Sequence, residues 1–259
     1  MPRPVTAVLA DLDDTLFDHA HATRGALAHL HTIEPRWAVW TSDHFEARHG
    51  EMLELLHQEV LTGRLTVEAA RIERFRRLLR AVEVEDRPAA ARAVDIALSY
   101  REAYEAAWRP VPGARALLEA LAHAGIRVAV VTNNLVAEQR LKIERLDLGR
   151  YIDALITSEE AGIPKPDPAI FRQALDRLRT PARDAVMIGD AWPTDILGAR
   201  AAGIRAVWLN RLGSDSPDGA VAELRSLEPV GAALHTLGIE VRDHNRISSS
   251  GTPSNPPGR

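Results

Sequence analysis

The sequence predicts an α/β fold, in which a parallel sheet carries helices on both faces and an all-helical cap is inserted into it. Three observations support this prediction. Residues 5–10 (VTAVLA) form a short apolar run, which is typical of a strand covered on both faces. From residue 113 onwards, short apolar runs alternate with helical patterns, as they do in successive βα units. The stretch between these two regions exceeds one βαβ step by about 90 residues, and its pattern is helical.

The long stretch after the first strand contains apolar residues that recur with the period of an amphipathic helix. The predicted helices cover residues 19–33, 42–62, 66–82 and 87–108. Thr66 is a suitable N-cap for the third of them, and Asp86 and Pro88 suit the start of the fourth. Residues 109–113 (RPVPG) interrupt the helical pattern. We therefore expect residues 18–108 to form the helical cap.

The alternating region predicts the rest of the parallel sheet. The predicted strands are residues 126–131, 152–156, 185–188 and 205–209, and the predicted helices are 114–124, 135–146, 168–178 and 194–202. A polar loop at 210–218 and one or two short helices up to about residue 237 follow. Residues 246–259 are Ser, Pro and Gly with hardly any apolar side chain, so we expect a disordered tail there.

The composition excludes several classes of function. The chain has 259 residues, is 46% hydrophobic and 26% charged, and has a formal net charge of −4. It therefore lacks the basic excess of proteins that bind nucleic acid polymers. The sequence contains no cysteine, so we expect neither disulfides nor thiolate chemistry. No apolar run is long enough for a membrane span or a signal peptide, so we expect a cytoplasmic protein; the oligomeric state, monomer or homodimer, stays open.

Polar side chains stand at the carboxyl ends of the predicted strands, where open α/β sheets bind ligands. They are Asp11, Asp13 and Asp14 after the first strand, Thr132 and Asn133 after the second, Lys165 beyond the third, and Asp190 and Asp195 after Gly189 at the end of the fourth. Asp11 and Asp13 point to the same side while the chain stays extended. Two carboxylates held in this way repel each other unless a cation lies between them.

Each of these elements also has an ordinary structural explanation. The aspartates after the first strand suit a turn, and Thr132 with Asn133 suits a helix cap. Lys165 could be a surface lysine, and Asp190 with Asp195 could begin a solvated helix. Taken together, however, the carboxylates, ammonium group and hydroxyl suit a magnesium ion and a phosphate group.

Four short motifs resemble those of the haloacid dehalogenase-like hydrolases, in the order and with the spacing of that family. The motifs are DLDDT at 11–15, TN at 132–133, KP at 165–166 and GD followed after four residues by Asp195 at 189–195. The resemblance covers residues 4–210. It implies a Rossmann-like core over residues 1–17 and 109–240 and a helical cap over 18–108. Within the family, the chain resembles phosphatases that act on small phosphomonoesters, such as nucleotides, flavin mononucleotide and sugar phosphates.

The resemblance implies roles for the acidic residues. Asp11 would be the nucleophile that forms an aspartyl-phosphate. Asp13 would protonate the leaving alcohol and then take a proton from the hydrolytic water. Mg²⁺ would be held by the carboxylates of Asp11 and Asp190 and by the backbone carbonyl of Asp13.

The resemblance also implies a phosphate-binding group. Thr132, Asn133 and Lys165 would bind the phosphoryl oxygens as negative charge develops on them. Thr15 and Asp195 would not contact the phosphate themselves but would orient the metal ligands or Lys165.

Three alternatives to a phosphatase stay open. A phosphomutase of the same family returns the phosphoryl group to its substrate. A 2-haloacid dehalogenase of the family lacks the second aspartate, because a halide leaves without a proton, so Asp13 favours phosphate chemistry. The third is a non-enzymatic protein. A phospho-acceptor such as a signalling receiver domain would lack the large helical insertion and the second and fourth motifs, and an inactive interaction module is disfavoured because every expected catalytic position is filled.

The cap is expected to set the substrate, although its sequence is less informative. For His19 and His21 we favour surface positions over substrate contacts. For Trp37 and Trp40 we favour packing within the cap over stacking on a substrate ring. One predicted cap helix is rich in arginine, which we interpret as a solvated face. Its arginines are Arg71, Arg74, Arg76, Arg77 and Arg80.

Overall fold

A computed structural model describes residues 4–82 and 89–240 of the chain. The six strands of the described part form one sheet in the order β3-β2-β1-β4-β5-β6, and all neighbouring strands are parallel. The strands are β1 (Ala7–Ala10), β2 (Arg127–Thr132), β3 (Ala154–Thr157), β4 (Ala185–Gly189), β5 (Arg205–Leu209) and β6 (Ala222–Leu224). Strand β1 lies between β2 and β4, so the loops that follow these three strands meet at one edge of the sheet.

The two faces of the sheet are covered by separate apolar clusters. Val8 and Ala10 of β1 belong to one cluster, whereas Ala7 and Leu9 belong to the other, as the two-residue period of a strand requires. The helices of this part are α5 (Ala114–His123), α6 (Val136–Arg145), α7 (Ser158–Ala161), α8 (Pro168–Leu178), α9 (Leu197–Ala201) and α10 (Val230–Thr236). The predicted α/β class, with helices on both faces, is confirmed.

Strand β6 was not predicted, because only a loop and short helices were expected between residues 210 and 237. It has three residues and pairs in parallel with β5, with Val207 opposite Ala222. The backbone N–H of Asn210 also donates to the carbonyl of Leu224. So short a segment shows no periodicity of its own. Its conformation therefore comes from pairing with β5 at the edge of the sheet.

The helical insertion follows β1 and has an apolar core of its own. Its helices in the described part are α1 (His19–Ile33), α2 (Ser42–Leu61), α3 (Val67–Arg80) and α4 (Ala89–Ala106), with a 3₁₀ turn at Pro35–Val39. Trp37, Phe45 and Phe75 are fully buried at its centre. The Thr66 hydroxyl accepts the N–H of Ala69, which confirms the predicted cap of α3. The inserted helical cap is thus confirmed.

The chain enters and leaves the cap side by side. The backbone N–H of Asp18 donates to the carbonyl of Arg109, and Phe17 forms an isolated bridge with Pro110. The carboxylate of Asp18 is fully buried and pairs with both Arg109 and Arg211, at 2.8 Å each. The two chain crossings are therefore joined by an ion pair between the buried Asp18 and the half-exposed Arg109, to which Arg211 adds a third charge.

Some sequence predictions are not decided by this description. The boundaries of the core at 1–17 and 109–240 and of the cap at 18–108 stay predictions. The proposed helix start at Asp86 and Pro88 and the tail at 246–259 lie outside the described residues. Among the residues described, the helices are all too short or too polar to cross a membrane.

Candidate active site

A cavity of about 600 Å³ lies between the cap and the carboxyl ends of the strands. Its floor contains residues that follow β1, β2 and β4, and its roof comes from α2, α3 and α4. The predicted site residues that line it are Asp11, Asp13, Thr132, Asn133, Lys165, Asp190 and Asp195. Residues from distant parts of the sequence therefore share one cavity, as the strand-end argument predicts.

Asp11 lies immediately after β1 and is 5% exposed. Its backbone N–H continues the sheet by donating to the carbonyl of Ile188 in β4. Burial raises the pKa of its carboxyl group, the ammonium of Lys165 opposes this rise, and the charges of Asp195 and Asp190 add to it. The resulting pKa of Asp11 is well above the usual range, so the one nearby ammonium does not offset burial and the neighbouring carboxylates.

Lys165 is buried among hydrogen-bond acceptors. Its Nζ lies 2.6 Å from Asp11 Oδ1, 2.7 Å from Asp195 Oδ1 and 2.8 Å from the carbonyl oxygen of Val131. All three donors of the ammonium group are therefore used. Although burial alone lowers the pKa of Lys165, the charges of Asp11 and Asp195 raise it above its usual range. Lys165 is a buried cation, and the surface-lysine interpretation is wrong.

The side chain of Asn133 holds the loop that carries Lys165. Its Nδ2 donates to the carbonyl of Lys165 at 2.8 Å, and its Oδ1 accepts the N–H of Lys165 at 2.6 Å. The side-chain amide of Asn133 is thus occupied by backbone groups of Lys165. The carbonyl oxygen of Asn133 lies 3.0 Å from Nε2 of His57 in the cap.

Thr132 is the last residue of β2 and is buried. Its Oγ1 accepts a hydrogen bond from Gln139 Nε2 at 3.0 Å and lines the cavity. Helix α6 begins only at Val136, and its N-cap is Leu135, without a side-chain cap. The helix-cap interpretation of Thr132 and Asn133 is therefore wrong.

Carboxylate oxygens of Asp11, Asp190 and Asp195 all lie within 4.8 Å of one another. Burial, together with the charges of Asp195 and Asp14, raises the pKa of Asp190 to about 7. Three oxygen donors so close together suit a hard divalent cation, which would also offset the mutual repulsion that, in addition to burial, raises these pKa values. The acidic cluster is therefore compatible with metal binding.

The residues around this cluster fix its orientation. Thr15 Oγ1 donates to Asp190 Oδ1 at 3.3 Å, and the backbone N–H of Ala191 donates to Asp195 Oδ2 at 3.0 Å. A Cβ atom at Gly189 would lie 2.3 Å from Asp195 Oδ2, so the end of β4 must be a glycine for Asp195 to approach. Asp195 is fully buried, and the solvated-helix interpretation is wrong.

Asp13 turns away from the acidic cluster towards α6. Lys142 Nζ lies 2.5 Å from its Oδ1, and Gln139 Nε2 lies 3.0 Å from its Oδ2. Although burial alone would raise the pKa of Asp13, the adjacent ammonium of Lys142 holds it well below the usual range. Sequence reasoning missed both partners. The available signal was the spacing of Gln139 and Lys142, two polar residues three positions apart on α6, the helix that follows β2.

The cap contributes side chains that the sequence did not assign to the cavity. His19 lines it and contacts the hydroxyl of Tyr104 at 2.7 Å, so it is not a surface histidine. Arg74 also lines the cavity and is 5% exposed, which contradicts a solvated position for this arginine. Trp37 is fully buried against Phe45, which confirms packing within the cap.

Comparison with known proteins identifies the family. The family model for haloacid dehalogenase-like hydrolases matches residues 5–203. The ribulose-1,5-bisphosphate 5-phosphatase of Halopiger xanaduensis is 35% identical over 205 residues, which cover 78% of this chain and 83% of that protein. The glyceraldehyde 3-phosphate phosphatase of Pyrococcus abyssi is 31% identical over 204 residues, covering 79% and 81%.

The solved structures agree with this fold. The magnesium-bound HAD-hydrolase YfnB from Bacillus subtilis superimposes with a TM-score of 0.68 at 22% identity, covering 92% of this chain and 100% of that one. At this level of identity the likeness concerns the fold alone. Because the family model spans most of the chain and two relatives align over more than three quarters of it, the chain belongs to the haloacid dehalogenase-like hydrolases.

Proposed function

We propose that the protein is a magnesium-dependent phosphatase that hydrolyses a small phosphomonoester through an aspartyl-phosphate on Asp11. One observation carries the proposal. The buried carboxylate of Asp11 faces the cavity 2.6 Å from the ammonium of Lys165, and Asp13 lines the same cavity two residues later. This arrangement provides a nucleophile, a phosphate-binding cation and a proton-transfer group around one space.

In the first half of the reaction, a carboxylate oxygen of Asp11 attacks the phosphorus atom. The bond from phosphorus to the substrate oxygen breaks, and Asp13 supplies a proton to the departing alcohol. Lys165 exchanges its hydrogen bond to Asp11 for one to a phosphoryl oxygen, and the Thr132 hydroxyl donates to another, where negative charge is concentrated. The backbone N–H of Asn133 is a further donor for them.

In the second half, water attacks the same phosphorus atom and gives a proton to Asp13. The bond from phosphorus to Asp11 breaks, and inorganic phosphate leaves. The ammonium of Lys142 favours the ionised form of Asp13, which is the form that accepts this proton. An incoming phosphoryl dianion has the opposite effect on the pKa of Asp13, which favours the protonated form needed in the first half.

The donor set fits a divalent cation. The carboxylates of Asp11 and Asp190 and the backbone carbonyl of Asp13 would hold Mg²⁺, and Thr15 and Asp195 would orient these ligands. When bound, Mg²⁺ would neutralise the adjacent carboxylates and part of the charge of the phosphoryl group. Hard oxygen ligands favour Mg²⁺ over softer metals.

The names of the two relatives support a small phosphorylated metabolite as the substrate. Both are phosphatases of short sugar phosphates, and one of the two named substrates carries a second phosphate group. A cavity of about 600 Å³ has room for compounds of this size. The cytoplasmic location expected from the sequence stays a prediction.

A phosphate-release assay tests the proposal. The purified protein is incubated with p-nitrophenyl phosphate and a panel of sugar phosphates and nucleotides, with Mg²⁺ or with EDTA. We expect release that EDTA abolishes and that Asp11→Asn lowers by more than about 10³-fold, because an amide is a poor nucleophile. Asp215→Asn, in an exposed loop, is the matched control and should keep wild-type activity.

Other outcomes would overturn this assignment. Undiminished release by a folded Asp11→Asn protein would exclude the proposed nucleophile. Chloride release from a 2-haloacid would indicate a dehalogenase, and an isomeric sugar phosphate without free phosphate would indicate a mutase. A stable phosphoprotein that never turns over would indicate the non-enzymatic phospho-acceptor.

A further inference from the structure

Arg74 in the cap is a buried cation that lines the substrate cavity. It is 5% exposed, and its Nε has no hydrogen-bond partner. Its guanidinium carbon lies 5.2 Å from the ring centroids of both Phe75 and Tyr100. Throughout residues 4–82 and 89–240, no carboxylate forms an ion pair with it. The guanidinium therefore rests on aromatic rings without a counter-charge.

The surroundings of Arg74 do not provide the missing negative charge. Its neighbour His49 is buried, and neither ring nitrogen has a hydrogen-bond partner. Burial and the charge of Arg74 lower the pKa of His49 well below its usual range, so this ring is neutral. An arginine side chain does not lose its own proton in a protein. A buried, unpaired cation is costly for the folded state.

The other cationic side chains around the cavity already have acidic partners. Glu105 pairs with Arg101 and Arg145, at 2.7 Å each. Arg71 lies 3.9 Å from Glu138. On the floor, the two lysines pair with aspartates, as described above. Among the described lining residues, Arg74 is thus the cation that has no acidic partner.

We propose that the substrate carries a second anionic group, a carboxylate or a second phosphate, which Arg74 binds while the transferred phosphoryl group lies at Asp11. This inference rests on the proposed phosphatase activity. A planar guanidinium binds either anion through two parallel hydrogen bonds. Nucleoside monophosphates and neutral sugar monophosphates have one anionic group and leave Arg74 uncompensated. The preferred substrates are therefore short bisphosphates or phosphorylated acids.

Two matched pairs of substrates test the inference and distinguish the two anions. 3-Phosphoglycerate and glyceraldehyde 3-phosphate differ by a carboxylate, and fructose 1,6-bisphosphate and fructose 6-phosphate differ by a phosphate. We expect kcat/KM of the wild type to be higher by about 10-fold or more for the anionic member of at least one pair. In Arg74→Met this preference of about 10-fold or more should be lost, because the charge-assisted pair of hydrogen bonds that produces it is absent. The pair with the larger loss identifies the anion.

Arg80→Met is the matched control, because Arg80 lies on the same helix and is exposed. It should leave the preference unchanged. The unfolding temperature of Arg74→Met without substrate should equal or exceed that of the wild type, since an unpaired buried charge is removed. A large decrease would instead indicate that the guanidinium serves the packing of the cap, and would count against the inference.

The possible failures are distinguishable. If the wild type releases phosphate from none of these compounds nor from p-nitrophenyl phosphate, the proposed phosphatase function is wrong. If it releases phosphate without preference in either pair, or if Arg74→Met keeps the preference, only the second anion site is wrong. If Arg74→Met does not fold, the wild type alone tests the inference: a preference for the anionic member of either pair supports a second anion site, and no preference in either pair contradicts it.

Discussion

Replacing Lys142 with methionine tests the role of the buried ion pair at Asp13. The ammonium lies 2.5 Å from the carboxylate, and the two side chains are 5% and 27% exposed. Breaking a fully buried pair costs about 3 to 5 kcal/mol. Since Asp13 keeps its hydrogen bond to Gln139 and partly faces the cavity, we expect a loss of about 2 to 3 kcal/mol in the step that needs ionised Asp13. This corresponds to a decrease in kcat of about 30- to 150-fold.

The decrease should appear in the second half of the reaction. Without Lys142, burial raises the pKa of Asp13, so its carboxyl group is mostly protonated. The protonated form can still give a proton to a leaving alcohol, but only the small ionised fraction can accept the proton of water. Rapid mixing of Lys142→Met with p-nitrophenyl phosphate should therefore give a burst of nitrophenol of about one equivalent per active site. Slow steady-state turnover should follow the burst.

Arg140→Met is the control for this experiment, since Arg140 lies on the same helix and is exposed. It should turn over at the wild-type rate without a burst. Wild-type kcat in a folded Lys142→Met protein would refute the argument that the ion pair supports catalysis. A slowed enzyme without a burst would refute its assignment to hydrolysis of the aspartyl-phosphate.

Two further predictions concern the stability of the cap and the shape of the site. Hydrogen bonds from Arg36, opposed by burial and reinforced by Arg92, lower the pKa of Glu34 from 4.5 to about 2. Because the folded-state pKa is depressed, the contribution of about 3 kcal/mol to stability is present above pH 4.5 and is lost as the pH falls towards 2. Urea unfolding should accordingly show a smaller difference between wild type and Glu34→Gln at pH 3 than at pH 6, and an equal difference would contradict this. Gly189→Ala would bring a Cβ atom to 2.3 Å from the Asp195 carboxylate, so we expect a loss of about 1 to 3 kcal/mol in stability and at least about 10-fold in kcat. Gly219→Ala, with no atom within 4 Å of the added Cβ, should change neither quantity, and a fully active Gly189→Ala protein would argue against the fixed position of Asp195.

The sequence predicted the floor of the cavity better than its walls, for a physical reason. Residues at the carboxyl ends of adjacent parallel strands lie together at one edge of the sheet, so the sequence alone places Asp11, Thr132 and Asp190 in one group. Lys142 and Arg74 project from helices, and their directions depend on how each helix packs against the sheet or the cap. On a sequence, a lysine or arginine in a polar helix is typical of a solvated face. Only their burial reveals that they line the cavity.

The floor and the roof of the cavity carry opposite net charges. The floor contains four carboxylates and two ammonium groups, which leave an excess of two negative charges that one divalent cation would neutralise. These groups are Asp11, Asp13, Asp190, Asp195, Lys142 and Lys165. The roof contains the unpaired guanidinium of Arg74, so anionic groups would be favoured on both sides only if the floor held a divalent cation. With no cation bound, the acidic floor would repel a phosphoryl group, and the proposed anion site at Arg74 would be the stronger one. The metal would therefore determine the orientation of a substrate with two anionic groups, in addition to assisting the transfer.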